Sequence, residues 1–162
     1  MYKKVIKNKR DLSDFELKIS EAQNKGLTVF TDGSMDNRSD TNDMKFSYAI
    51  YEGTEVIEKK VLEQKYNGKR NSINKAEALG IIYALAFLDE NNCNNERITF
   101  FTDSKIVYNI CRLRKPPKSD SIFYSTCLSL LRGIERFSDL QFEWNPRELN
   151  GYADGLMRKE LA

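Results

Sequence analysis
The spacing of apolar positions changes several times along the chain, and each change marks an element. Leu12, Phe15, Ile19 and Ala22 recur at helical spacing behind a basic run of Lys3, Lys4, Lys7, Lys9 and Arg10. This predicts a basic arm and a short amphipathic helix ending at Gly26. From Leu27 the pattern becomes that of short buried strands. Leu27-Thr28-Val29-Phe30-Thr31-Asp32 opens strand one over 27–33, and a polar, acid-rich turn follows from Met35 to Lys45. Phe46 to Tyr51 and Thr54 to about Lys65 alternate as two strands joined near Glu52-Gly53, completing a three-stranded antiparallel meander. Residues 72–91 carry a wide apolar stripe through Ala76, Leu79, Ile81, Ile82, Leu85, Ala86 and Leu88, and Asn91 to Asn95 break that helix. Strand four at 97–103 leads into a helix from Ser104 to about Arg112, before Pro116-Pro117. A further helix over about 120–137, strand five at 140–144 and a last helix from near Asn150 complete the chain.

The order β-β-β-α-β-α-α-β-α predicts an α/β architecture, a five-stranded mixed sheet with helices on both faces. Residues 1–26 stand apart as a basic arm with a short helical extension, and 27–162 form one domain without repeats.

Composition narrows the chemistry. The 162 residues suffice for one core without staples. Charged residues make up 31% yet the net charge is only +2, so any basic surface must be local, whether at the N-terminal arm or at Arg112, Arg114, Lys115 and Lys118. Cys93, Cys111 and Cys127 are odd in number and lack CxxC spacing, which predicts reduced thiols and a cytoplasmic location. With no 18-residue apolar run and no signal peptide, a soluble protein without membrane association is expected. Histidine is absent altogether, which removes the commonest acid–base group and transition-metal ligand.

Carboxylates remain. Asp32 and Asp103 end two similar runs, Phe30-Thr31-Asp32 and Phe101-Thr102-Asp103. Glu77 shares a helix face with Ile81, Ala84, Leu85 and Leu88, where an acid is expensive unless paired or metal-bound. Asp154 stands near the start of the last helix. Each has an ordinary reading by itself: Asp32 as a turn former, Glu77 as a boundary residue, Asp103 as a helix cap, Asp154 as a first-turn acid facing the helix dipole. Sites in such sheets form at the carboxyl ends of strands, so all four can face one edge. Converging carboxylates repel by roughly 4 kcal/mol per pair at ~4 Å. A fold keeps such a cluster if divalent cations neutralise it, and oxygen-only ligands favour Mg²⁺ or Mn²⁺ over zinc.

Four segments together resemble the type 1 ribonuclease H family: Phe30-Thr31-Asp32-Gly33-Ser34, Asn74-Lys75-Ala76-Glu77-Ala78-Leu79, Phe101-Thr102-Asp103-Ser104, and Arg147 to Asp154. The last is most similar to the branch with an Arg-Glu-x-Asn-x-x-Ala-Asp run in place of a histidine-bearing loop. The resemblance runs from about Leu27 to the C-terminus. It implies a ribonuclease H-like fold and a monomeric endonuclease that cuts the RNA strand of RNA·DNA hybrids to leave 5′-phosphate and 3′-hydroxyl ends. It implies two divalent ions and no organic cofactor. Asp32 would bridge both ions, Glu77 and Asp103 would hold the one beside the attacking water, and Asp154 would complete the other site. Arg147 occupies the histidine loop. It stays charged and is a poor base, so it would steady the phosphate, unless it simply pairs with Glu148 or Glu143.

Substrate contacts carried over by position are Gly33, Ser34, Ser72, Asn74, Ser104 and Asn150. Ser72 has an equal reading as a helix cap. Ile73 stands where many members have asparagine, and the long acidic turn holding Asp36, Asp40 and Asp43 departs from the short glycine-rich one usual in the family. Trp144 reads as a core residue rather than a stacking platform. Two alternatives stay open: a catalytically silent binding module of the same fold, and a nuclease of the same superfold with another nucleic-acid substrate.

Overall fold
The structure is a computed structural model that describes residues 9–35, 43–65 and 71–149. Helix α1 spans Lys9–Lys25. Strands β1 (Leu27–Met35), β2 (Met44–Glu52) and β3 (Glu55–Gln64) follow. Then come α2 (Ile73–Glu90), β4 (Arg97–Thr102), α3 (Lys105–Leu113), α4 (Tyr124–Ile134) and β5 (Asp139–Trp144). A single 3₁₀ turn, Arg147–Leu149, ends the described chain. The helix expected from Asn150 lies outside the described residues.

The strands form one mixed sheet in the order β3-β2-β1-β4-β5. The meander β1-β2-β3 is antiparallel, whereas β1/β4 and β4/β5 are parallel and connected through helices. Alternation along the strands divides the apolar residues between the faces. Val29, Ile50, Ile98, Phe100 and Phe142 pack with Ala78, Ile81, Leu85 and Leu88 of α2 and Leu130 and Ile134 of α4. On the opposite face Phe30, Ala49, Tyr51 and Phe101 pack with Ile19 of α1. The phenyl rings of Phe30 and Phe101 stack at 5.1 Å. Helices therefore cover both faces, as the element order predicts, and α1 is a structural layer of the sheet.

Three boundaries differ from the sequence reading. Helix α1 begins at Lys9, inside the expected basic arm. Strand β1 does not stop at Gly33, and the turn expected from Met35 to Lys45 is shorter, because Ser34 pairs with Lys45 and Met35 with Met44. The helix expected over about 120–137 is confined to Tyr124–Ile134. Ladder pairing sets the second of these, and no local propensity announces it.

The β2–β3 hairpin turns at Gly53, whose φ of 61° lies in the left-handed region that glycine tolerates. Strand β3 is paired on one side only, and most of its residues are exposed, including Val56 and Ile57. Glu55, Glu58, Lys59, Lys60 and Glu63 supply its charges. Among the described residues no helix is long and apolar enough to cross a membrane.

Candidate functional site
The site begins with strand register. Phe30 of β1 pairs with Phe101 of β4 in parallel, so two residues further along each chain Asp32 and Asp103 arrive side by side. The third acid comes from α2, which starts at the N-cap Ser72; the Ser72 hydroxyl accepts the Lys75 N–H at 3.1 Å. Helix and strand meet closely because of Gly33. A Cβ there would sit 2.6 Å from the Glu77 nitrogen and 2.7 Å from the Ala76 carbonyl carbon. The missing side chain lets the first turn of α2 lie against β1 and delivers Glu77 to the aspartates.

Carboxylate oxygens of Asp32, Glu77 and Asp103 all lie within 4.8 Å of one another. Asp32 and Glu77 are buried, at 2% and 4% exposure, and Asp103 is half-buried. The Gly33 N–H donates to Asp32 Oδ1 at 2.9 Å. Among the described residues, Glu77 Oε2 is buried without a hydrogen-bond partner. Burial pushes the Glu77 carboxyl well above its ordinary range, and the charges of Asp103 and Asp32 push it the same way. The Gly33 amide and the Arg147 guanidinium pull against this without reversing it. Three acids on rigid elements, one with an orphaned oxygen, form a hard, oxygen-only donor set that fits a divalent cation.

An open cleft of about 660 Å³ lies over the cluster. Its walls include Gly33, Ser34, Met35, Ile73, Glu77, Asp103, Ser104, Trp144, Pro146, Arg147 and Glu148. Of the residues singled out from sequence, Gly33, Ser34, Glu77, Asp103, Ser104 and Arg147 thus meet at one place, with Asp32 beneath them. Ser104 also caps α3, accepting the Val107 N–H at 3.2 Å. Neither Ser72 nor Asn74 lines the cleft, whereas the exposed Ile73 between them does. Asn150 and Asp154 lie outside the described residues. The exposed basic stretch is partly engaged internally: the Arg114 guanidinium lies 5.3 Å from the Phe142 ring centroid, and Arg112 lies 5.7 Å from that of Tyr108.

Trp144 is the residue the sequence reading placed wrongly. It is half-buried, forms part of the cleft wall, and donates from Nε1 to the Asp103 carbonyl at 3.0 Å. Its place at the carboxyl end of β5 is the signal that marks it, since sites in such sheets gather there.

The sheet order, the helices on its faces and the acid cluster at the carboxyl ends of β1 and β4 define a ribonuclease H-like domain. The family model described as "Reverse transcriptase-like" matches residues 59–159. The chain belongs to that family, which bears out the resemblance to type 1 ribonuclease H. The match includes Glu77 and Asp103 and begins after Asp32. No curated protein matches the chain.

Solved structures agree in fold. An N-terminal RNase H domain from Mycobacterium tuberculosis, fused to maltose-binding protein, has a TM-score of 0.67 at 20% identity over 80% of this chain and 88% of that one. RNase H1 from the halophilic archaeon Halobacterium salinarum gives 0.66 at 18% identity over 80% and 92%. LC11-RNase H1, solved with an RNA/DNA hybrid, gives 0.68 at 19% identity over 84% and 99%.

Proposed function
We propose that this chain is a metal-dependent endonuclease that hydrolyses the RNA strand of RNA·DNA hybrids, leaving 5′-phosphate and 3′-hydroxyl ends. The observation that carries the reading is the convergence of Asp32, Glu77 and Asp103 within 4.8 Å at the base of an open cleft. Family membership and a relative solved on a hybrid support it.

In this reading Asp32, Glu77 and Asp103, with Asp154 completing the set, hold two divalent ions, Mg²⁺ or Mn²⁺. Bound there, such ions activate water and neutralise charge on the phosphate. The chain's own residues do the rest. Buried Asp32 and Glu77 are fixed by β1 and α2, so the ligand oxygens need little rearrangement on loading. Open on one side, the cleft admits a polymer backbone. Arg147 stands exposed on its wall, its charge already acting on Glu77, and is suited to hold a phosphate oxygen; as a permanently charged group it takes no proton. Ser34 and Ser104 offer hydroxyls at the same wall for the sugar–phosphate backbone.

One observation favours a second reading, a nuclease of this superfold with another nucleic-acid substrate: Ser72 is engaged as a cap, and neither it nor Asn74 reaches the cleft lining. One experiment tests both. End-labelled RNA·DNA hybrid, single-stranded RNA, duplex RNA and duplex DNA are incubated with the protein in Mg²⁺ or Mn²⁺. The first reading expects cuts in the RNA of the hybrid alone, abolished by EDTA. Preferential cutting of another substrate selects the second, and no cutting of any substrate rejects both.

A further inference from the structure
Asp103 stands just past the end of a ladder. The last β4–β5 pair is Thr102 with Trp144, and the Asn145 N–H donates to the Thr102 carbonyl at 3.0 Å. The next carbonyl along the chain belongs to Asp103, and a side chain takes over there: the Trp144 indole N–H donates to it at 3.0 Å. The backbone of a cluster carboxylate is thus held by an indole, and what holds the indole matters.

Two contacts orient it. Phe15 of α1 meets the Trp144 ring edge-on, with centroids 5.6 Å apart and planes at 78°. The Lys105 ammonium lies 4.9 Å from the ring centroid. One residue upstream, Lys18 of α1 approaches Glu143 at 3.9 Å. That ion pair is exposed and adds little energy, but it ties the same helix to the same strand. Trp144 separates the cleft over the acids from a groove of about 270 Å³ that Phe15, Lys18 and Lys105 help to line. Helix α1 lies outside the residues the family model matches.

We propose that α1 belongs to the metal site: Phe15 orients Trp144, and Trp144 positions Asp103 by holding its carbonyl. Both aromatics are positioning residues. The inference rests on the metal-dependent reading of the acid cluster and adds to it a path from the N-terminal helix.

The test uses the full chain and Mn²⁺ as the probe. Trp144 is the only tryptophan, so emission reports this junction alone. Binding is followed by the electron paramagnetic resonance signal of free Mn²⁺, and emission is recorded in the same titration. The wild type is expected to bind with a change in emission at the same midpoint. Trp144→Phe keeps an aromatic ring and removes the donor; losing one hydrogen bond to the Asp103 backbone should raise the Mn²⁺ midpoint about five-fold. Phe15→Ala should raise it similarly, with Phe15→Leu as the milder variant if the alanine protein does not fold. A variant that merely loosened the fold would lower the melting temperature without moving the midpoint at a temperature where the protein is folded. Folded variants with the wild-type midpoint would overturn the proposal and leave the metal site standing. A wild type that binds no Mn²⁺ would overturn the metal site as well.

Discussion

Replacing Glu77 by glutamine isolates the energetics of the cluster. With oxygens within 4.8 Å, each carboxylate pair repels by at least about 3.5 kcal/mol at an effective dielectric constant of about 20. Glu77 faces two such partners, so full ionisation of the metal-free cluster would exceed about 7 kcal/mol on this side chain alone. Taking up a proton is cheaper. Relative to an ordinary value of 4.5, carrying a proton at pH 7 costs about 3.4 kcal/mol, being 2.5 units at about 1.36 each. The smaller figure caps the penalty, and burial together with the charges of Asp103 and Asp32 holds the Glu77 carboxyl well above its ordinary range. Its folded pKa is raised, so the folded state binds the extra proton and stability falls as pH rises above about 4.5 until the folded pKa is passed. Glutamine imitates the protonated acid without that penalty, less about 1 kcal/mol for burying a larger amide. In EDTA at pH 7, Glu77→Gln should therefore be more stable, by at most about 2 kcal/mol, or roughly 4–8 °C in melting temperature for a chain of this size. At pH 4 the penalty is gone, and the variant should be less stable than the wild type by about 1 kcal/mol. Millimolar Mg²⁺ should raise the melting temperature of the wild type more than that of the variant. Thermal melts at pH 4 and pH 7, with EDTA and with Mg²⁺, read all of this. A variant no more stable than wild type at pH 7, or equally stabilised at both pH values, would refute the reasoning.

Asp103→Asn should abolish hybrid cleavage with the far-UV spectrum unchanged, and residual activity above a few per cent would remove Asp103 from the site. Gly33→Ala forces a methyl group against the backbone of Ala76 and Glu77; it should destabilise the protein by about 1–3 kcal/mol in urea unfolding and weaken Mn²⁺ binding together. Ser72→Ala removes the α2 cap and should lower stability by about 1 kcal/mol while cleavage by the remaining folded protein is unchanged. A large loss of cleavage in that variant, with the fold intact, would return Ser72 to the substrate contacts.

Asp32, Glu77 and Asp103 could be singled out because each interrupts a pattern: two acids close apolar strand runs, and a third shares an apolar helix stripe. Element order did the same for the sheet, since a meander followed by two helix-linked strands leaves few arrangements. What local sequence could not carry depends on partners far along the chain. The extension of β1 to Met35 exists because Met44 lies opposite. The role of Trp144 needs Asp103, 41 residues away, and Phe15, on a helix that the reading set apart from the domain. Gly33 read as a contact to substrate carried over by position, and its tight fit against α2 emerges only once the layers are stacked.

The outer strand β3 bears on how the protein behaves in a test tube. Its free edge offers backbone donors and acceptors to any passing strand, and Val56 and Ile57 would reward such a meeting. Glu55, Glu58, Lys59, Lys60 and Glu63 charge it, and an antiparallel register centred on Lys59 and Lys60 would set like charges opposite one another. Concentrated salt weakens that protection. Replacing Lys59 and Lys60 with threonine should turn this flank into a seed for sheet-to-sheet clumping, visible as light scattering that grows with concentration.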